Sequence, residues 1–186
     1  MTPRLENLFV DREMSNEVRK SIYRGCGYVL HDIDGPTHNY MLSSPACFAA
    51  YTEVLAFEYS DPLLMRTHRL TIDAFAIQHP GDAISRQAIP SVGLDLARLA
   101  MQLHHLRMPK KANDIMLILG KHRAELKALS PPTAFSMTVA EVLQFAGTPT
   151  HAVAGKMLAV SAWEEWSEYH EYILDWADKR LWGPAA

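Results

Sequence analysis

Apolar residues recur at helical spacing along most of the chain. Residues 45–59 place apolar side chains on one stripe, with a proline in the first turn, and residues 64–79 form a second stripe. Only a short turn at Asp61-Pro62 separates the two segments. The pattern therefore predicts two antiparallel helices, a helical hairpin over residues 45–79.

Four further helical segments follow the hairpin, each bounded by a capping or helix-breaking residue. Their predicted ranges are 85–107 with an interruption at Pro90, 113–129 with an Asn113 cap, 138–147 with a Thr138–Glu141 capping box, and 150–181 with a Thr150 cap. No segment shows the sustained period-two alternation of a strand. The sequence therefore predicts an all-α fold, a helical bundle in which residues 85–181 supply the remaining helices.

The N-terminal part of the chain has a different pattern. Residues 11–22 have the polarity of a short polar helix, whereas residues 23–44 contain glycine and proline at a spacing that allows little regular structure. We expect this second stretch to be an irregular loop or knuckle. Since no repeat or linker divides the chain, a single helical domain over residues 1–186 is expected.

Composition and charge narrow the class of protein. The 186 residues are 48% hydrophobic and 21% charged, which is enough apolar material for a sizeable core. A formal net charge of -3 and an isoelectric point near 6.3 argue against nucleic acid as a partner. The sequence shows neither a run of roughly 20 apolar residues nor a basic, apolar leader, so we expect a cytoplasmic protein without a membrane partner. It favours neither a monomer nor an oligomer.

Cysteine and histidine side chains are expected to converge at one end of the hairpin. Cys47 lies near the start of the first helix and His79 at the end of the second, so antiparallel packing brings both to the end away from the turn. The preceding loop adds Cys26 and His38. Two thiols and two imidazoles suit a tetrahedral zinc ion, and we predict a zinc site. The alternative is that the cysteines are small buried apolar residues and that the histidines serve a turn and a helix end.

The end of the hairpin near the turn holds Glu58 and His68. This is a separate site, because His68 and His79 are eleven residues apart on one helix face and hence about 16 Å apart. A carboxylate beside an imidazole makes a general base, so Glu58 and His68 are candidate catalytic residues, with His170 of the aromatic last helix as a substrate contact. The structural alternative is a buried ion pair, with His170 packed in the core. His151 is interpreted as structural or exposed.

Several motifs resemble an uncharacterised bacterial domain family. They are Gly35-Pro36-Thr37-His38, Cys47, Glu58-Tyr59-Ser60-Asp61-Pro62, the run from His68 to Gly81, and Trp163, Trp166 and His170. The resemblance is specific over residues 23–95 and looser over 138–176, and it implies no assigned activity. It does imply a metal site built from two cysteines of a Cys-x-x-Cys-Gly motif together with Cys47 and His79. Here Tyr23 replaces the first cysteine, which leaves that place to His38, to water, or to a site without metal.

Three classes of function follow from these features. The first is a small helical protein whose zinc ion mainly holds the loop on the hairpin. The second is an enzyme that acts on a small-molecule substrate through an open metal site or through Glu58 and His68. The third is a non-enzymatic module that docks a partner through Trp163 and Trp166. Motifs typical of nucleotide-binding proteins, serine hydrolases and zinc proteases do not occur in the sequence.

Overall fold

The computed structural model describes residues 25–27, 33–81, 88–104 and 112–183, and this part of the chain is mostly helical. The helices are α1 (Pro45–Ser60), α2 (Met65–Gln78), α3 (Ala88–His104), α4 (Ala112–Lys121), α5 (Val139–Leu143), α6 (His151–Glu165) and α7 (His170–Trp182). Short 3-10 turns lie at Pro62–Leu64, Arg123–Glu125 and Ser167–Tyr169. The described residues contain no strand, so the predicted all-α fold is confirmed.

The predicted hairpin is formed by α1 and α2. Ser44 caps α1, because its hydroxyl accepts a hydrogen bond from the Cys47 amide at 3.1 Å, and Pro45 occupies the first turn, where an N–H is not needed. The helix ends at Asp61, whose extended backbone is typical of a residue that precedes proline. The Asp61 carboxylate accepts from the Leu63 amide at 2.8 Å and closes the turn into α2.

The second helix lies at the centre of the described structure. It packs against α1, α3 and α6, while α5 packs on α1 and α6, and α7 packs on α3 and α4. Buried apolar side chains fill the space between these helices: Phe75, Ile77, Leu96, Leu99, Leu119, Leu158, Trp163, Trp166 and Ile173. The buried residues of α2 also include five polar ones: Thr67, His68, Thr71, Asp73 and Gln78. These polar groups must find partners inside the protein.

Three details of the predicted third and fourth helices are wrong. Pro90 does not interrupt the third helix, because the described residues of α3 run without a break from Ala88 to His104 and include Pro90. Asn113 does not cap the fourth helix, because it already lies inside α4. The same helix ends at Lys121, well before the predicted end, where the chain tightens into a 3-10 turn.

The predicted helix over residues 150–181 is two helices. Trp166 ends α6 with φ −96° and ψ 17°, and a 3-10 turn follows before α7. The Trp166 ring is 1% exposed, and its indole N–H donates to the Ile77 carbonyl at 3.2 Å. This anchored ring marks the point where the chain leaves the surface of α2 and turns to pack on α3 and α4.

Other predicted features have mixed outcomes. The capping box is confirmed, since Glu141 accepts from the Thr138 amide at 2.8 Å and the Thr138 hydroxyl accepts from the Ala140 amide at 3.3 Å. Thr150 directly precedes α6, but its side chain makes no capping hydrogen bond. Residues 25–27 and 33–44 form neither helix nor strand, as expected for the loop.

Two predicted features fall outside the described residues: the polar helix over residues 11–22, and the ends of the third helix at Ser85 and Arg107. Among the described helices, none has both the length and the apolar character that crossing a membrane requires.

The crossing of α2 and α6 depends on Gly155. A β-carbon at this position would overlap Thr67 Cγ2, so Gly155→Ala should force the helices apart and lower the free energy of unfolding by about 1–3 kcal/mol. Urea denaturation followed by circular dichroism measures this change. Gly120→Ala in α4 is the matched control, because a β-carbon there meets no described atom within 4 Å, and it should be neutral or stabilising by up to about 1 kcal/mol. Equal losses in the two variants would contradict the close crossing.

Candidate metal centre

Three potential metal ligands converge at the end of the hairpin away from the turn. Cys26 Sγ lies 3.9 Å from Cys47 Sγ, and Cys47 Sγ lies 3.3 Å from His79 Nε2. The three ligand atoms all lie within 4.8 Å of one another, and the side chains are 5%, 4% and 1% exposed. The thiols are not joined in a disulfide. This group could hold a metal ion.

Each ligand is positioned by a different local feature. Cys47 lies in the first turn of α1, where its own amide donates to the Ser44 cap. His79 ends α2, with its amide donating to the carbonyls of Phe75 and Ala76. The loop is joined to this helix end by the Leu42 amide, which donates to the His79 carbonyl at 3.3 Å. Two helix ends and one loop therefore meet at the group.

The His79 ring is held in the tautomer that a metal ligand needs. Its Nδ1 lies 2.8 Å from the Phe75 carbonyl oxygen, which can only accept, so Nδ1 carries the proton. The neutral ring then has its free lone pair on Nε2, the atom that points to Cys47. A backbone carbonyl that fixes the second ring nitrogen is the usual outer partner of a metal-binding histidine.

Glycines on both sides of Cys26 let the loop reach this position. A β-carbon on Gly25 would lie 2.7 Å from His79 Cδ2 and 2.7 Å from the Leu42 carbonyl oxygen. Gly27 has φ of 76°, a backbone conformation that side chains with a β-carbon rarely adopt. The sequence around Cys26 is thus shaped to bring its thiol against His79.

The electrostatics of the thiol pair favour a cation. The hydrogen bond with Cys26 and burial raise the pKa of Cys47 far above its ordinary value, and the charges of Cys26 and Glu141 act in the same direction. A negative charge on either sulfur is therefore costly unless a positive charge balances it. A bound metal ion would provide that charge and take the place of the thiol protons.

His38, the fourth expected ligand, is not part of the three-residue group. Its Nδ1 accepts from the Tyr40 amide at 3.2 Å, and its ring contacts the rings of Tyr40 and Phe48 edge-on. His38 and His79 do share the wall of a small cavity of about 80 Å³. The structure therefore places His38 beside the group but gives it a different hydrogen-bonding role.

The other end of the hairpin brings Glu58 and His68 together. Glu58 Oε2 lies 3.2 Å from His68 Nδ1, and Glu58 Oε1 accepts from the Thr71 hydroxyl at 2.6 Å. His151 Nε2, from the first residue of α6, lies 3.3 Å from the same Oε1 atom. Burial raises the pKa of Glu58 to about 7, and burial also lowers the pKa values of His68 and His151. We call these four residues the Glu58 cluster.

His151 and Thr71 are the members of the cluster that the sequence did not indicate. His151 is 93 residues from Glu58 in the chain, and only the packing of α6 on the hairpin brings it there. Thr71 could have been found, since it lies one turn beyond His68 on the same helix.

His170 has a different environment from the Glu58 cluster. Its ring stacks on Trp163 at 3.8 Å, and its Nε2 donates to the Trp163 carbonyl at 2.9 Å. The ring is thus packed against Trp163, as in the alternative interpretation of His170 as a packed residue instead of a substrate contact. Trp163 and Trp166 are 2% and 1% exposed, so neither ring is free to dock a partner.

The chain belongs to a family of unknown function (DUF5946), which matches residues 22–167. The expected membership of an uncharacterised family is confirmed. The matched range includes the three-residue metal group and the whole Glu58 cluster, but not His170. Comparisons with curated proteins and with solved structures find no match.

The hydrogen bond from Thr71 to Glu58 should contribute measurably to stability. Thr71→Val keeps the shape of the side chain but removes a donor from a carboxylate that is 0% exposed, so we expect a loss of about 1–3 kcal/mol in the free energy of unfolding. Thr52→Val is the control, because that exposed hydroxyl donates only to its own helix at Ala49, and its effect should stay within about 0.5 kcal/mol. Similar urea midpoints for the two variants would rule out the Thr71 contribution.

Proposed function

We propose that Cys26, Cys47 and His79 bind one zinc ion, and that this ion fixes the N-terminal loop to the α1–α2 hairpin. The observation that carries the proposal is the convergence of two buried thiols and one imidazole, from a loop and two helix ends, within 4.8 Å. Such a group can bind an ion only in the folded chain, so the free energy of binding contributes to folding.

The ligand chemistry and spacing favour zinc. Thiolates and imidazoles together suit zinc better than magnesium or calcium, which take oxygen ligands. With ordinary zinc bond lengths, tetrahedral geometry places two sulfur ligands about 3.8 Å apart and a sulfur and a nitrogen about 3.6 Å apart. The observed separations of 3.9 Å and 3.3 Å are close to both values. The third pair of ligand atoms, in Cys26 and His79, lies within 4.8 Å.

We assign the fourth coordination position to water rather than to His38. The Nδ1 atom of His38 accepts from the Tyr40 amide, so a neutral ring has its proton on Nε2 and no lone pair for a metal. His79 has the reverse arrangement, with Nδ1 donating and Nε2 available. The two rings at this end of the hairpin are therefore prepared for different roles.

A structural role for the ion is favoured over catalysis on a small molecule. The cavity beside His79 has a volume of about 80 Å³, whereas pockets for small ligands have volumes of about 300–1,000 Å³. A cavity of this size suits a few water molecules. Glu58 and His68 offer less support for an active site, because they are 0% and 4% exposed and His170 contacts Trp163 instead.

Purified protein should contain close to one zinc per chain without added metal. Cys47→Ala should lose most of this zinc, since even an outer partner of a ligand is worth about 10–100-fold in metal affinity and a direct ligand should be worth more. Chelation of the wild-type protein should lower its melting temperature. Mass spectrometry of the metal and thermal unfolding measure the two effects.

His38→Ala is the control for the Cys47 variant and should keep its zinc, because we assign the fourth position to water. Wild-type protein that holds no near-stoichiometric metal and melts unchanged after chelation would overturn the zinc proposal. If Cys47→Ala loses its zinc as expected and His38→Ala loses it too, only the assignment of the fourth position to water would be overturned.

The close approach of Gly25 to His79 gives a second test. Gly25→Ala would place a β-carbon 2.7 Å from His79 Cδ2, so we expect zinc affinity to fall by about 10–100-fold, as when an outer partner of a ligand is lost. Gly35→Ala is the matched control in the same loop, because the only described atom that its β-carbon would meet is Pro45 Cβ, at an ordinary 3.7 Å. Competition with a chromophoric chelator measures both affinities. Equal affinities in the two variants would show that Cys26 does not need this close packing.

A further inference from the structure

From the geometry of the Glu58 cluster we infer that Glu58, His68 and His151 form a buried proton-binding site, which holds one shared proton and loosens the contact of α6 with the hairpin when a second proton binds. The site is independent of the proposed zinc ion. It joins three helices, because Glu58 belongs to α1, His68 to α2 and His151 to α6. Its three members are 0%, 4% and 0% exposed.

The hydrogen bonds of His151 fix its role as a donor. The Gly147 amide donates to His151 Nδ1 at 3.1 Å, so Nδ1 accepts and the proton of the neutral ring is on Nε2. That Nε2–H donates to Glu58 Oε1, which also accepts from the Thr71 hydroxyl. Both donors to Oε1 are thus present while the histidine is uncharged.

The second carboxylate oxygen shares a proton with His68. Glu58 Oε2 and His68 Nδ1 are 3.2 Å apart, so one proton can lie on either atom and still form a hydrogen bond between them. With the proton on Glu58 the pair is neutral, and with the proton on His68 it is an ion pair of zero net charge. Burial favours zero net charge in either form.

A second proton cannot enter the cluster without breaking a hydrogen bond. On His151 it would occupy Nδ1 and face the Gly147 N–H, so that two donors would point at each other. On the pair of Glu58 and His68, the second proton would give both Oε2 and Nδ1 a hydrogen, so that no acceptor would be left between them. It would also add a buried positive charge. Because His151 is the first residue of α6, that charge would lie at the positive end of the helix dipole.

The neighbouring charges act in the same direction. Arg69 on α2 lowers the pKa of His68, in addition to the effect of burial. From α1, Tyr51 and Tyr59 face the cluster. The charge of Glu58 is one of the causes that raise the pKa of Tyr51, and the Tyr59 ring lies 4.1 Å from the His68 ring. A tyrosine that stays protonated adds no charge, so Arg69 is the neighbouring charge that opposes a second proton.

The proton count predicts how stability changes with pH. Below the ordinary histidine pKa of about 6.5, the unfolded chain takes up a proton on His68 and another on His151, whereas the folded cluster holds one shared proton. Folded protein is therefore destabilised as the pH falls, and one net proton raises the unfolding constant by up to about tenfold per pH unit. Between about pH 6.5 and the raised pKa of Glu58, about 7, the folded cluster still holds the shared proton while the unfolded chain holds none, so stability falls again as the pH rises.

The test compares wild type with His151→Gln in urea unfolding between pH 5 and pH 8. Glutamine keeps an amide donor for Glu58 but cannot be protonated, so the folded and unfolded forms of this variant take up equal numbers of protons at these sites. The ratio of the wild-type to the variant unfolding constant should rise by up to about tenfold per pH unit from about 6 to 5. Thr52→Val, which removes an exposed hydroxyl and no titratable group, is the control and should leave a flat ratio. A flat ratio for both variants would overturn the proposal.

Nuclear magnetic resonance of the wild-type imidazole groups keeps the proposal testable if His151→Gln does not fold. His151 should be in the Nε2–H tautomer and stay neutral below the ordinary histidine pKa of about 6.5. The Gly147 amide should lose protection from hydrogen exchange when His151 finally binds a proton, because that amide donates to its Nδ1 atom. A His151 ring that becomes charged near the ordinary histidine pKa of about 6.5, or one in the Nδ1–H tautomer, would refute the shared-proton site.

Discussion

The antiparallel pairing of α1 and α2 is the constraint on which both polar clusters depend. Because the helices run in opposite directions, Glu58 meets His68 near the turn and Cys47 meets His79 at the far end. The rise of an α-helix keeps His68 and His79 about 16 Å apart, so the two ends cannot merge into one site. The apolar residues between them, such as Val54 and Phe75, are fully buried and hold the two helices in this register.

The central position of α2 explains why its buried polar groups Asp73 and Gln78 have specific partners elsewhere in the chain. Arg98 on α3 donates to Asp73 Oδ2 at 2.7 Å, and Gln102 donates to the same atom at 2.6 Å. At the end of the helix, Gln78 donates to the Met137 carbonyl at 2.7 Å. A helix surrounded on several sides cannot leave a polar group to water, so these contacts fix the orientation of each neighbour as well as its distance.

Sequence periodicity was sufficient to predict the hairpin, because two local apolar stripes and a short turn determine this structure. The hairpin topology then predicted that Cys47 and His79 meet at one end, and the preceding loop added Cys26. His38 was different, since a backbone hydrogen bond from Tyr40 sets the role of its ring and no spacing rule reveals that bond. Local patterns also could not show the break at Trp166, where the indole N–H donates to a carbonyl of α2 and a 3-10 turn follows.

His151 shows the same limit most clearly. It follows Thr150 at the start of α6, and a local interpretation gives it no function, but the contact with Glu58 spans 93 positions of the sequence. Only the packing of α6 across α2 creates it, and that packing depends in turn on the small residue Gly155. A residue that a distant helix brings to a site can therefore be identified from the tertiary structure, whereas local sequence patterns do not predict it.

The two clusters differ in how a buried negative charge can be balanced. Each places a group that can become negative inside the protein, where an uncompensated charge is costly. At the Glu58 cluster a proton can balance the charge, because two imidazoles and a hydroxyl surround one carboxylate. At the thiol pair the neighbouring imidazole presents a lone pair instead of a proton, since its other nitrogen is held by the Phe75 carbonyl. That orientation of His79 favours a metal ion over a proton, and it is the structural difference between the two ends of the hairpin.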